Sequence, residues 1–408
     1  MNPESWKFVA FVLIFIEANY LAYGSRFRGA VLAAFNTFFL LAFMENAVSL
    51  AFLACYSLLV YNLANLLRRP AAKKSLFPVL LFATLLFLVV KKYEVLSALR
   101  LGALLDHRIC IIGFSYIFFK HLHLLIDSRD GLIREVTPLL FYNYTFGFYT
   151  LIAGPIQRYN SFAAEAVADR TAEIYDRRFL LTQLDRIVTG YLKFSVLAKI
   201  LKMWAGPFTL AALPPGGALP LAKFVFAAYA LYLFVYFNFS GYCDIVIGVA
   251  NLSGVRLPEN FAGPLAARNQ LEFWSRWHIT LSQWLNDYIF NPLCKLIFST
   301  TPGLGILGAG MIGYFVTFFI AGMWHGNTYS FLVFGCLLGA GVAGVKLYEW
   351  LLKALLTKDQ FRRYRANNII RYAATVLSFN YTAFAFIFFE NSPRTVLPVL
   401  KGILRGLL

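Results

Sequence analysis

A chain of 408 residues that is 60% hydrophobic and 18% aromatic, with only 14% charged side chains, is too apolar for a soluble multidomain protein and reads as a polytopic membrane protein. Its formal net charge of +17 would ordinarily suggest nucleic acid. Here the basic residues lie in short clusters between apolar runs, as the positive-inside rule requires, so no long basic surface remains for DNA or RNA.

Apolar runs recur from the N-terminus: Trp6 to Tyr23, Ala30 to Met44, Ala47 to Leu67, Ser75 to Val90, Ile109 to Ile126 and Val136 to Pro155. They continue with Phe179 to Trp204, Phe224 to Leu252, Gly303 to Ala321, Tyr329 to Leu352 and Ile369 to Phe389. A crossing needs about 20 apolar residues, which predicts an all-α fold with about ten or eleven tilted transmembrane helices, plus re-entrant or interfacial ones. The alternating segments of an outer-membrane barrel are absent. The first run reads as a span rather than a cleaved signal peptide. Basic clusters at Arg68, Arg69, Lys73 and Lys74, and at Lys358, Arg362, Arg363, Arg365 and Arg371, belong on the cytoplasmic side; Lys91 and Lys92 break a perfect alternation. Leu213 to Pro220 reads as a loop at one membrane face. Val396 to Leu408, with Lys401 and Arg405, reads as an amphipathic surface helix. The whole of 1–408 is expected to form one membrane-embedded domain, with its motifs over about 109–345. No internal repeat of the transporter kind is visible.

Five cysteines without a C-x-x-C pair read as small core hydrophobes. Gly303-Leu-Gly305-Ile-Leu-Gly308 spells G-x-G-x-x-G without the strand-helix context or the later carboxylate of a dinucleotide site, so its glycines read as helix-packing positions. His121 and His123 stand two apart and point differently on a helix, while His123 and Asp127 share a face; a structural hydrogen bond is the expectation. His107 lies in a charged loop, and no third ligand is spaced for zinc. Asp244, inside the apolar stretch Phe237 to Asp244, either serves the substrate or pairs with a buried cation. The Pro- and Gly-bearing run Asn251 to Asn269 reads as irregular backbone shaping an entrance.

From Glu272 to Tyr288 a helix would gather Trp274, Trp277, Leu281, Trp284 and Leu285 on one stripe, with Arg276, Thr280, Gln283 and Asp287 on another face and His278 close to the stripe. Three tryptophans could seat such a helix at a bilayer interface, or His278 and its neighbours could line a cavity mouth. Farther on, no Asp, Glu, Lys or Arg occurs between Lys295 and Lys346, and His325 is the one ionisable group there apart from thiols and phenols. An imidazole at membrane depth is costly, which makes it a functional candidate; a bond to a neighbouring carbonyl is the structural alternative. Neutral at pH 7, it could take a proton. Gly322 and Gly326 on either side would leave room for a substrate.

Phe273-Trp-Ser-Arg-Trp-His278-Ile-Thr-Leu-Ser282, followed by Gly322-Met-Trp-His325-Gly326, resembles the signature pair of the membrane-bound O-acyltransferases. The resemblance is to the bacterial branch that holds alginate O-acetyltransferase and the D-alanyl transfer protein of teichoic acid synthesis. Gly113-Phe-Ser115 with Asp127, Ile152-Ala-Gly154-Pro155-Ile-Gln-Arg158, and Phe239-Ser-Gly241-Tyr-Cys-Asp244 with Pro258-Glu-Asn260-Phe261 extend it over Gly113 to Gly326. The loop Gly263 to Gln270 is less typical. The resemblance implies His325 as the catalytic histidine, His278 as the second functional residue, and a ring of helices around a central funnel. It also implies an acyl thioester reaching in from the cytoplasm and a hydroxyl acceptor from outside, in a bacterial cytoplasmic membrane.

Acyl transfer to an alcohol needs a base, an oxyanion site and exclusion of water. His325 is expected to take the hydroxyl proton, directly or through water, and His278, Asn286 or a backbone N–H to steady the oxyanion. Trp324 and Trp277 would form walls, and Arg276, Asp287, Asp244 and Arg158 complete the candidate substrate-binding set. No metal or resident cofactor is expected; the donor, acetyl-CoA or an acyl-phosphopantetheinyl carrier protein, is a substrate. Expected partners are membrane lipids, an acidic carrier at the cytoplasmic face, an extracytoplasmic acyltransferase, and a polysaccharide or envelope polymer as acceptor. Acetyl transfer to a polysaccharide stands first and D-alanyl transfer to a teichoic-type polymer second. A transporter or a non-enzymatic assembly subunit is the alternative class.

Overall fold

The computed structural model describes residues 5–44, 46–75, 79–80, 84, 111, 113–205, 218–326 and 328–407. Most of the run from Ser75 to Val90, and Lys91, Lys92, His107, Cys110 and the loop positions 213–217, lie outside them. The described residues are almost entirely helical, with a single isolated β-bridge between Phe261 and Trp277. Five of their helices are long and apolar enough to cross a membrane: Ala47–Leu67, Leu221–Leu252, Pro302–His325, Tyr329–Leu355 and Asn368–Glu390. Apolar runs mark each of these five, and local capping sets several helix ends. The Asn46 side chain accepts from the amide of Ser49, Asp176 caps Arg177–Tyr191, and Asn367 caps Asn368–Glu390, each satisfying a backbone donor with no partner inside its own helix. The expected C-terminal amphipathic helix forms over Pro393–Leu407.

The chain divides into two compact units, Met1–Ser195 with Gly241–Glu259, and Val196–Ser240 with Asn260–Leu408. In the first, Phe11, Phe15 and Phe39 pack around the ring of Phe148 at centroid distances of 5.0, 4.8 and 5.4 Å. Gly113 has φ 78°, and a Cβ there would stand 2.1 Å from the carbonyl oxygen of Leu151. Glycine is therefore required at the entry to helix Phe114–Arg129. That helix buries Lys120, whose Nζ donates to the Tyr144 carbonyl at 2.9 Å and to Thr150 Oγ1 at 2.8 Å. Nε2 of His121 meets Thr145 Oγ1 at 3.2 Å, and Nε2 of His123 meets the Tyr144 hydroxyl at 2.8 Å. These partners, a carbonyl near a helix end and hydroxyls of neighbouring segments, satisfy polar atoms of Lys120, His121 and His123 inside the first unit. Among the described residues no group of three or more His, Cys, Asp or Glu side chains could hold a metal ion.

The second unit is built around Tyr232, Phe273, Trp277, Phe334 and Phe386, all buried. Its tightest seam joins the helices Gly305–His325 and Tyr329–Leu355. A Cβ on Gly322 would lie 2.2 Å from Cα of Gly335, and one on Gly339 would lie 2.7 Å from the carbonyl oxygen of Phe315. Small residues let these backbones touch. The glycines at 303, 305 and 308 do not serve this purpose, contrary to expectation: Gly303 and Gly305 face open space, and Gly308 meets the preceding turn's Leu304.

Candidate active site

The segment read as one continuous Trp-rich helix is broken at its centre. Gln270–Arg276 and Ile279–Leu285 are separate helices, and Asn286–Phe290 continues as a π-helical turn. The interruption is His278, at φ 44° and ψ 53°, the one non-glycine residue at positive φ among the described residues. A left-handed conformation at a side-chain-bearing residue costs on the order of 1 kcal/mol and persists where the surroundings over-determine it, often at functional sites. Backbone bonds across the break supply that constraint: the Ala262 amide donates to the Arg276 carbonyl and the Ile279 amide to the Asn260 carbonyl, both at 3.0 Å. The break also removes the interfacial stripe. Trp274, Trp277 and Trp284 are all buried within the protein, where a bilayer-interface helix would expose them.

The clamp sets Asn260 beside His278. Asn260 Oδ1 accepts from the Thr280 amide at 3.2 Å and from Thr280 Oγ1 at 2.9 Å, and lies 3.1 Å from His278 Nδ1. The His278 ring is 2% exposed, and Nε2 has no hydrogen-bond partner among the described residues. Burial, reinforced by the His325 imidazole, holds His278 well below the ordinary imidazole range, so the ring is neutral at pH 7. Phe239 meets it edge-on at 4.8 Å.

His325 is the last residue of helix Gly305–His325, at the junction of two apolar helices rather than inside either. It is partly exposed. Phe389 stands 5.3 Å away, Phe334 5.8 Å and Phe331 6.4 Å, making an aromatic wall. Trp324 links the two histidines, with its ring centroid 4.8 Å from His325 and 6.4 Å from His278. The space expected beside the flanking glycines is taken: a Cβ on Gly322 would strike Gly335, and one on Gly326 would lie 2.0 Å from the Phe331 ring.

His278, Trp324 and His325 thus come together, with Trp277 adjoining His278 along the chain and packed on Phe261 at 5.2 Å. Each of the remaining candidates has surroundings of its own. Arg276 pairs with Glu272 at 2.6 Å. Asn286 and Asp287 lie exposed on the π-helical turn, where the Asn286 amide donates to Asp287 at 3.3 Å. Asp244 and Arg158 belong to the first unit. Arg158 is the residue preceding helix Tyr159–Val167. Asp244 accepts from Arg186 Nε at 3.2 Å and Lys193 Nζ at 2.7 Å, and Arg186 also pairs with Glu259. For Asp244→Asn a lowered melting temperature with unchanged KM is expected, because the change weakens an anchor between two cations. Thermal unfolding together with steady-state kinetics checks this, and a raised KM at full stability would return Asp244 to the substrate site. Asn260 belongs to the motif Pro258 to Phe261, but no sequence feature assigned it a role beside His278; it is 18 positions away, and no helical or strand periodicity joins the two.

The family model of membrane-bound O-acyltransferases matches residues 37–387. The chain belongs to that family. It is 30% identical over 291 residues to the teichoic acid D-alanyltransferase of Bacillus subtilis, covering 70% of each chain. It is 28% identical over 283 residues to a probable alginate O-acetylase of Pseudomonas aeruginosa, covering 65% of this chain and 50% of the relative. To the peptidoglycan O-acetyltransferase of Helicobacter pylori it is 33% identical over 173 residues, covering 41% of this chain and 29% of the other. The protein is accordingly a membrane O-acyltransferase.

Proposed function

We propose that this acyltransferase moves a short acyl group, acetyl in the first instance, from a cytoplasmic thioester to a hydroxyl of an extracytoplasmic polysaccharide or envelope polymer, in the bacterial cytoplasmic membrane. About ten or eleven tilted spans would surround a funnel in which the reactants meet. The observation that carries the reading is the pair of imidazoles flanking Trp324 in one aromatic-walled unit. The acceptor oxygen attacks the thioester carbonyl carbon and a C–O bond forms as the hydroxyl proton passes to His325. Collapse of the tetrahedral oxyanion breaks the C–S bond, and the leaving thiolate recovers the proton from the imidazolium. The aromatic wall excludes water that would hydrolyse the donor.

D-Alanyl transfer from a carrier protein to a teichoic-type polymer is the second reading, favoured by the match to the Bacillus subtilis enzyme over 70% of both chains. Purified enzyme in proteoliposomes, given acetyl-CoA or D-alanyl carrier protein as donor and a polyol polymer as acceptor, tests both. Acylated polymer from the first donor supports the primary reading, from the second the alternative, and from neither in folded, reconstituted protein removes both. In the same assay His278→Asn is expected to lower kcat/KM by about 100-fold without loss of folded protein, since asparagine tolerates the left-handed backbone. Wild-type turnover would take His278 out of the site.

A further inference from the structure

The hydrogen-bond geometry around Asn260 fixes more than the position of His278. A backbone amide can only donate, so the Thr280 N–H at 3.2 Å requires that the Asn260 atom it meets be the carbonyl oxygen. The same oxygen faces His278 Nδ1 at 3.1 Å, and an oxygen without a hydrogen requires Nδ1 to carry one. In a neutral imidazole the other nitrogen then has a lone pair and no proton. That nitrogen, Nε2, is the one left without a partner among the described residues, in a ring 2% exposed, and a buried acceptor left open is a place for a ligand's donor.

We infer that Asn260 is a positioning residue that locks His278 in the Nδ1–H tautomer, so that Nε2 takes a hydrogen bond from an O–H or N–H of a bound reactant. Neutral His278 is then no donor to the tetrahedral oxyanion, and that task falls to other groups. The O–H would belong to a hydroxyl of the acceptor polymer other than the one whose proton passes to His325, and the N–H to an amide of the donor's pantetheine arm. The assignment of a reactant rests on the acyl-transfer reading; the tautomer rests on the bonds and on the burial that keeps the ring neutral. Left-handed backbone at His278, held by the Asn260–Ile279 and Arg276–Ala262 bonds, sets the point from which the ring reaches Asn260. His325 is the titratable neighbour acting on the ring, while Phe239 and Trp324 cover it with uncharged faces.

The test is nitrogen-15 NMR of the full chain labelled at histidine, with His278→Asn identifying its signal among five histidines. A protonated Nδ1 and bare Nε2 are expected; a protonated Nε2 overturns the inference even if no Asn260 variant folds. Asn260→Ala should let the other tautomer appear and cut kcat/KM by about 100-fold. Asn260→Asp should keep the tautomer and much of the rate, and move the acid limb of the pH–rate profile upward, because a carboxylate favours the imidazolium. An unmoved limb and an unaltered tautomer in both variants reject the positioning role. A KM rise confined to the polymer identifies the O–H source, and one confined to the thioester the N–H source; unchanged KM and kcat for both reject a contact with either. The expected tautomer in protein that acylates nothing overturns the acyl-transfer reading and leaves the Asn260 assignment intact.

Discussion

Acyl transfer is expected to fall by about 10²–10⁴-fold in His325→Ala, the range associated with losing a positioned acid–base group, while the protein accumulates and melts almost as the wild type does. The structural cost is small because the ring is partly exposed and ends its helix. Truncation removes ring contacts with Trp324, Phe389, Phe334 and Phe331 and no backbone bond of the preceding turns. The kinetic cost is large because the imidazole is the group proposed to receive the hydroxyl proton. The measurement is thiol release and polymer acylation in proteoliposomes, with thermal unfolding of the same preparation. Unchanged transfer at normal protein level would sink the base role of His325 and favour a transporter or an assembly subunit.

Substitution at Gly322 should act through the fold instead. A valine there would push Cβ to 2.2 Å from Cα of Gly335, 2.5 Å from its nitrogen and 3.0 Å from the Phe331 carbonyl. All three are backbone atoms, so no side-chain rotation relieves the contact and the helices must separate. A cost of about 3 kcal/mol is expected, at the upper end for overpacking, with loss of activity because His325 lies three residues farther along the same helix. Gly310→Ala is the matched control, since no atom of the described residues lies within 4 Å of a Cβ at that position; it should be neutral or slightly stabilising, as alanine is the better helix former. Equal melting of the two variants in detergent would show that the helices do not touch backbone to backbone at Gly322.

Both expectations rest on a division of labour along the chain. Local composition governs helix existence, and five of the apolar runs coincide with helices long enough to cross a membrane. The histidines at 278 and 325 stood out for related reasons, one within a Trp-rich motif and one as the ionisable group in a long uncharged stretch. The motifs also carried the family, which the match over residues 37–387 establishes.

Periodicity failed where the backbone leaves regular geometry. A helical wheel through residues 272–288 assumes that each residue turns the chain by the same angle, and His278 at φ 44° breaks that assumption. Tryptophans assigned to one stripe therefore fall on separate elements, and all three are buried. Glycine content alone could not tell Gly305, which faces open space, from Gly322, which touches another backbone. The Asp244 carboxylate could not announce its partners, since Arg186 and Lys193 are 58 and 51 positions away.

The sequence by itself determined that this is a helical membrane acyltransferase and marked His278 and His325 out of five histidines as the candidates, because transfer energy and motif chemistry are properties of short stretches of chain. Only the tertiary structure decided which nitrogen of His278 is bare, which glycines bear the helix seam and which charges are already paired. Those depend on atoms brought within about 3 Å from distant positions, and such proximity is set by packing, which no local pattern encodes.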